Sequence, residues 1–408
     1  MGNIKMHFQQ ITLTRPIPPN QYEELIKHLY WVDPGLEQIE FDTIDPTVLR
    51  YQYTGPSSQQ VQERLRQVVE RLTRSFNTVP VSTIYHSSVV TTPGCVSPYQ
   101  QLIQRGWVHP VGQGSHIYSG LMSQLYYALD LQFRHKALAM SVNEYKFPTL
   151  INLDTLAQTG YLHNFPHHTN FVCHLPEHME IIEQFKQTVV KTQVHVKPSV
   201  DVCAAPDYAL SPTVCYHFYF INRGRVLQGE TLGATALSPC YRFESKATTE
   251  LRRLREFNMR EIMFIGPPAE IIKLRQALLD CQQQMLEFCQ LHSIIQTAAD
   301  PFFLDSHDSQ RLFQISFDLK HEAKAYLPDD DDWLAIGSVN YHQDHFGQAF
   351  NITLASGEPA HSCCLGFGLD RWCIAIFAQY GLDITRWPPN LQQLLTAYHK
   401  TIDSFITS

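Results

Sequence analysis

The sequence predicts an α+β chain, and three observations carry that reading. Strand-like and helix-like segments follow one another as β-α-β-β-α-β over the first ~90 residues. Two strands flank a polar, charged turn between Cys240 and Ile265. Near the C-terminus the apolar strand end Cys364-Leu-Gly-Phe-Gly opens into an apolar helix, Trp372–Phe377.

The N-terminal elements are read from periodicity. Ile4, Met6 and Phe8 alternate as a strand, and Tyr22, Leu25, Ile26 and Leu29 recur at helical spacing. Leu36–Phe41 and Val48–Tyr53 read as two more strands. Val61, Leu65, Val68, Val69, Leu72 and Phe76 mark a second helix, and Val79–Tyr85 a last strand. That order is the split β-α-β pattern of ferredoxin-like domains. Fold alone assigns such a domain no function. Pro93, Gly94 and Pro98 make Ser87–Gln104 a linker, so the domains expected are 1–90, a linker at 91–105, and 106–408.

Composition bounds the class. With 408 residues, 44% hydrophobic and 17% charged, the chain reads as soluble and globular, in two or three domains. A formal net charge of −8 weighs against broad polyanion binding, although a local basic patch can still serve a partner. Ten cysteines without a regular framework, a signal peptide or a transmembrane stretch point to free thiols and a cytoplasmic location. The acidic run Asp329–Asp332 reads as a solvated loop.

Two segments carry chemistry. Gly366 and Gly368 let backbone approach a flat or charged ligand. Arg371 falls in the first turn of the following helix, where the dipole already favours phosphate. Upstream, Arg242 has the forked guanidinium that grips an α-phosphate or a carboxylate bidentately. Phe257 offers a face for a purine, and Arg253 on the turn can reach distal phosphates. After these strands Ile271, Leu274, Leu278, Cys281, Met285 and Phe288 give one long amphipathic helix.

Together these segments resemble motifs 2 and 3 of class II aminoacyl-tRNA synthetases. Arg242, Glu244, Arg253, Phe257 and Glu261 match motif 2 at its spacing, and Gly366, Gly368 and Arg371 match motif 3. A helix at Ile117–Ala137, a strand at Met140–Phe147 and then Pro148 resemble motif 1, the family's dimer-forming element. The resemblance implies a catalytic domain on an antiparallel sheet with flanking helices, and a homodimer.

Within that superfamily, Gly160–Pro166, Asp300–Phe303, Asn340–Gly347 and Gly357–His361 resemble the bacterial amino acid:[carrier protein] ligases, truncated relatives of the atypical zinc-dependent seryl-tRNA synthetases. The resemblance covers roughly residues 105–390 and implies zinc on Cys215, Glu261 and Cys364. Three protein ligands with one open position suit a working zinc rather than a structural one. Cys363 and Cys364 point to opposite faces of a strand, so only one can ligate, and the family favours Cys364. Thr213, Cys215 and Asn340 are implied as amino-acid contacts. His167, His168, His342 and His345 read as surface or core hydrogen-bonders, with His345 also in reach of the site. The remaining cysteines read as small buried hydrophobes.

The activity implied is ATP- and magnesium-dependent conversion of a small amino acid to its adenylate, then transfer to the phosphopantetheine thiol of a carrier protein. Arg242, Arg253 and Arg371 would neutralise charge on the reacting phosphates. Lys273 and Arg275 on the long helix are implied as carrier contacts. The chain shows no long basic coiled-coil arm, which makes tRNA the less expected acceptor. A tRNA ligase and a non-catalytic synthetase paralogue are the alternatives.

Overall fold

The computed structural model of the chain describes residues 8–54, 58–75, 81–91, 97–192, 203–246, 248, 250–298 and 319–406. Ile4, Met6, Phe76, Val79, Pro93, Gly94 and the segment Asp300–Phe303 lie outside the described residues.

At the N-terminus, Phe8–Thr12, Val48–Tyr53 and Leu36–Phe41 form an antiparallel sheet with Val48–Tyr53 in the middle. Helices Tyr22–Leu29 and Ser58–Ser75 cover it because Leu25, Leu29, Val61, Leu65 and Val69 share one core with Ile11, Leu49 and Tyr51. The sixth element differs from expectation. Strand Thr83–His86 pairs antiparallel with Ser293–Thr297, at the edge of the large sheet. Backbone bonds fix it there, from Thr297 to the Ser82 carbonyl at 2.8 Å and from Ser87 to the Ser293 carbonyl at 2.9 Å. Alternation along a strand reveals its two faces but not the sheet it joins.

The large sheet has eight strands. In spatial order they are Thr83–His86, Ser293–Thr297, Lys320–Leu327, Asp332–Gln343, His361–Gly368, Glu256–Gly266, Leu232–Tyr241 and Asn143–Glu144. All neighbours are antiparallel except the last pair. Helices Gly120–Leu138, Pro268–Phe288, Leu369–Tyr380 and Pro389–Ile406 pack the main core, where Cys363, Leu365 and Phe367 are buried. Cys364 belongs to a second cluster with Phe218, Tyr219 and Phe346, so the two adjacent cysteines do face opposite ways.

Three boundaries shift. The helix expected at Ile117–Ala137 runs Gly120–Leu138, because Ser115–Tyr118 is a strand that hairpins onto Val108–Gly112. The strand after it shrinks to Asn143–Glu144. The expected linker contains helix Pro98–Gln104, whose Leu102 is buried in the main core. The acidic run is not simply solvated: Asp329 and Asp330 pair with Arg252, and Asp331 accepts from the Tyr326 hydroxyl at 2.6 Å. None of the described helices is long and apolar enough to cross a membrane.

Candidate functional site

Strand register assembles the site. Glu261 lies opposite Gly366, Gly366 opposite Ser338, and Ser338 opposite Glu322. The next row is Met263, Cys364, Asn340 and Lys320. Because side chains alternate, both rows face the same side, with Gly366 as an open floor between two carboxylates. A Cβ at Gly366 would meet only Glu261 Cγ and Met259 Sδ, both at 3.7 Å, and would project over that floor. Above it opens a cavity of about 850 Å³. Of the twelve residues that the sequence assigns to nucleotide, amino acid or metal, eleven line it; the exception is Arg253.

Arg253 donates from Nη1 to Glu244 Oε2 at 2.7 Å, and both side chains are largely buried. Burial alone would raise the Glu244 pKa, but Arg253, His168 and Arg242 hold it below the usual carboxylate range. His168 is tied to the same strand end: Phe243 donates its backbone N–H to the His168 carbonyl at 3.0 Å. The His168 ring Nδ1 lies 3.1 Å from the Phe243 carbonyl. Arg242 lies over the Phe257 ring at 5.3 Å and donates from Nε to the Pro212 carbonyl at 3.3 Å. Arg371 is aimed by a 2.9 Å bond to the Ala335 carbonyl.

At the other end, Cys215, Glu261 and Cys364 converge. Thr213 Oγ1 donates to Glu261 Oε1 at 2.9 Å and lies 3.6 Å from Cys215 Sγ. Asn340 Nδ2 and His342 Nε2 each reach Cys364 Sγ at 3.7 Å. The hydrogen bond from Cys215, then those of His342 and Asn340, hold the Cys364 thiol well below its usual range against burial. The same bond pushes the Cys215 thiol up, so Cys215 keeps the proton. Burial and then the Cys364 charge push Glu261 up to about 8, against the bond from Thr213.

These donors are spent on one another. Among the described residues, no three His, Cys, Asp or Glu side chains stand gathered around a metal position. Yet Glu261 Oε2 is buried without a hydrogen-bond partner, and two thiols with one carboxylate suit zinc. A buried carboxyl beside a thiolate, with one orphaned oxygen, is what a divalent cation would relieve. The donor set fits the ion.

Sequence reasoning passed over several residues. His342 reads as a bystander, although it is two residues from Asn340 on one strand and so shares its face. Its Nδ1 is set by Ser362 Oγ at 3.1 Å and the Tyr219 hydroxyl at 3.5 Å. Glu322 is two residues from Lys320, which it meets at 3.2 Å, and both line the cavity. Asp370, beside Arg371, accepts from the Tyr118 hydroxyl at 2.7 Å and the Asn258 backbone N–H at 2.8 Å. It thereby ties the Phe257 strand to the Arg371 helix. By contrast, Lys273 pairs with Glu270 at 2.7 Å, and Arg275 is half-buried against His321 Nδ1 at 3.2 Å, so Arg275 is not an exposed docking contact.

An antiparallel sheet carrying an Arg-x-Glu strand, a charged turn and a Gly-x-Gly-x-x-Arg junction defines a class II aminoacyl-tRNA synthetase core. The sequence profile of the tRNA synthetase class II core domain (G, H, P, S and T) matches residues 201–380. The chain is similar to amino acid–[acyl-carrier-protein] ligase 1 of Bradyrhizobium diazoefficiens, 31% identical over 252 residues, covering 61% of this chain and 75% of that protein. It is also similar to the type-2 serine–tRNA ligase of Methanopyrus kandleri, 28% identical over 390 residues, covering 89% of this chain and 72% of that protein. In fold it resembles the crystal structure of A. aeolicus tRNASec in complex with M. kandleri SerRS, with a TM-score of 0.70 at 22% identity. That match covers 96% of this chain and 77% of the other. The chain belongs to the branch of class II synthetases that holds the amino acid–[acyl-carrier-protein] ligases and the type-2 serine–tRNA ligases. With that class goes ATP- and magnesium-dependent ligase chemistry on an amino acid.

Proposed function

We propose that the chain activates a small amino acid with ATP and passes the aminoacyl group to the phosphopantetheine thiol of a carrier protein. One observation carries the reading: a phosphate-binding end with Arg242 and Arg371 and a thiol–carboxylate end with Cys215, Glu261 and Cys364 share one cavity. Zinc would sit on Cys215, Glu261 and Cys364, where, when bound, it supplies an electrophilic hold for the substrate's α-amino group. Thr213 and Asn340 hold two of those donors in place and face the amino acid.

Arg242 meets the carboxylate and α-phosphate, and Phe257 offers adenine a face. Arg371 and, from beside the cavity, Arg253 neutralise the distal phosphates. Glu322, across the floor from Glu261, offers the hard oxygen that suits the magnesium carried by ATP. The carboxylate itself attacks phosphorus and pyrophosphate leaves with the bond pair, so the protein supplies positioning and charge rather than a nucleophile. An amine-selecting pocket of this kind disfavours hydroxy acids. The motif 1 helix Gly120–Leu138 exposes Tyr127 at 54%, and it and the edge strand Asn143–Glu144 are where a second copy would pair.

A tRNA acceptor is the second reading. The match to the M. kandleri serine–tRNA ligase leaves too few residues unmatched to omit the N-terminal domain. The decisive test follows ATP–pyrophosphate exchange over the twenty amino acids with transfer assays. A hydroxylamine-sensitive mass increase on holo-carrier protein, without charging of total tRNA, supports the first reading. Salt-sensitive tRNA charging with no transfer to any holo-carrier replaces it with the second.

A further inference from the structure

Tyr161 is a built feature that the site described so far does not use. It begins the short helix Tyr161–Asn164, right after Gly160 at φ +76. The residue is only 6% exposed and packs with Ile151, Leu156 and Ala209. Its ring lies 5.3 Å from that of Phe165 and 6.1 Å from that of Tyr216, the neighbour of Cys215. The backbone is anchored as well: Tyr161 N–H reaches Thr159 Oγ1 at 3.3 Å, and the Thr159 carbonyl lies 3.0 Å from His345 Nε2. The ring is therefore fixed on the wall of the cavity.

Its hydroxyl is buried and has no hydrogen-bond partner. A phenylalanine would fill the same space without that cost, about 1–3 kcal/mol for an orphaned buried polar group. Tyr161 lines the cavity, so a ligand bound there can supply the partner its buried hydroxyl lacks. Burial raises the phenol pKa and keeps it protonated and a donor; among the nearby charges Arg242 lowers the pKa and Glu244 raises it. A substrate whose amino group meets Cys215, Glu261 and Cys364 and whose carboxylate meets Arg242 passes beside Tyr216 and Tyr161. The anionic end of that substrate is the acceptor the hydroxyl lacks.

We propose that the Tyr161 hydroxyl donates a hydrogen bond to the carboxylate oxygen that does not attack phosphorus, the oxygen kept as the acyl carbonyl of the adenylate. The inference rests on the activation reading above and adds to it a specificity contact for the acyl group itself. It assigns Arg242 and Tyr161 to one carboxylate from two directions.

The experiment compares two stable analogues, measured by calorimetry in the glycyl, alanyl and seryl series. The aminoacyl-sulfamoyl adenosine keeps the acyl carbonyl, and the aminoalkyl adenylate has a methylene in its place. Tyr161→Phe should weaken binding of the carbonyl-bearing analogue about tenfold, the loss of one good hydrogen bond. The methylene analogue should bind wild type and variant alike, within about twofold. Thermal stability of Tyr161→Phe should match or exceed wild type, since no protein bond is lost. Equal weakening of both analogues, or none for the carbonyl-bearing one, overturns the contact. Failure of the wild type to bind either analogue in any series sinks the activation reading, and this inference with it.

Discussion

Removing Arg253 separates its structural part from the catalytic one proposed for it. The Arg253 and Glu244 side chains are 17% and 10% exposed and meet at 2.7 Å. Breaking a buried pair from one side costs about 3–5 kcal/mol, because the remaining charge stays buried. His168 and Arg242 still act on Glu244, which places Arg253→Ala at the low end, about 3 kcal/mol. For a domain of this size that is a fall in Tm of about 6 °C. The pH dependence has a definite sign. In the wild type Glu244 is held below its ordinary value, so the pair's contribution is present above about pH 4.3 and is lost as acid protonates the carboxylate. Without Arg253, burial raises the Glu244 pKa, so the penalty grows as pH rises. The gap between variant and wild type should therefore narrow from pH 7.5 to pH 5. Glu244→Gln added to Arg253→Ala should restore at least half of the lost Tm without restoring pyrophosphate exchange. Melts of Arg253→Ala within 1 °C of wild type at both pH values would refute the argument.

Four further outcomes are expected. Arg242→Ala and Arg371→Ala should each cut pyrophosphate exchange by about a hundredfold or more, read by initial rates. Purified protein should carry about one zinc per chain by elemental analysis, and Cys215→Ala and Cys364→Ala should both lose it; full occupancy in both variants ends the ligand assignment. Lactate should support far less exchange than alanine, and equal rates would argue against amine recognition. Asp130→Ala should lower stability by about 3 kcal/mol in denaturant melts, because buried Arg260 donates to both Asp130 oxygens at 2.7 and 2.8 Å.

What was legible follows from how far each signal reaches along the chain. The row Cys364, Gly366, Gly368 is visible because alternation along one strand is a local property. Arg242 with Glu244, and Arg253 with Phe257, were legible from spacing within one hairpin. His342 was missed because its role depends on cross-strand register: it becomes a neighbour of Cys364 only when Asp332–Gln343 pairs with His361–Gly368. Asp370 was missed for a similar reason, since Tyr118 is 252 residues away and Asn258 is 112. The strand Thr83–His86 shows the same limit in the fold, with its existence local and its partner not.

The acceptor is the part of the function that the cavity fixes least, and chemistry explains why. A carrier thiol and a tRNA hydroxyl attack the same acyl carbon of the same adenylate, so the groups that build the adenylate need not differ between them. Discrimination then rests on surfaces outside the cavity. The N-terminal domain is placed to take part: Lys246, on the turn after the Arg-x-Glu strand, donates to the Leu36 carbonyl at 2.6 Å and pairs with Glu37 at 2.8 Å. Trp31 packs edge-on against Phe243 at 5.7 Å, one residue from both Arg242 and Glu244. A ligand that shifts this domain therefore pulls on the strand end that carries Arg242, the arginine proposed to bind phosphate.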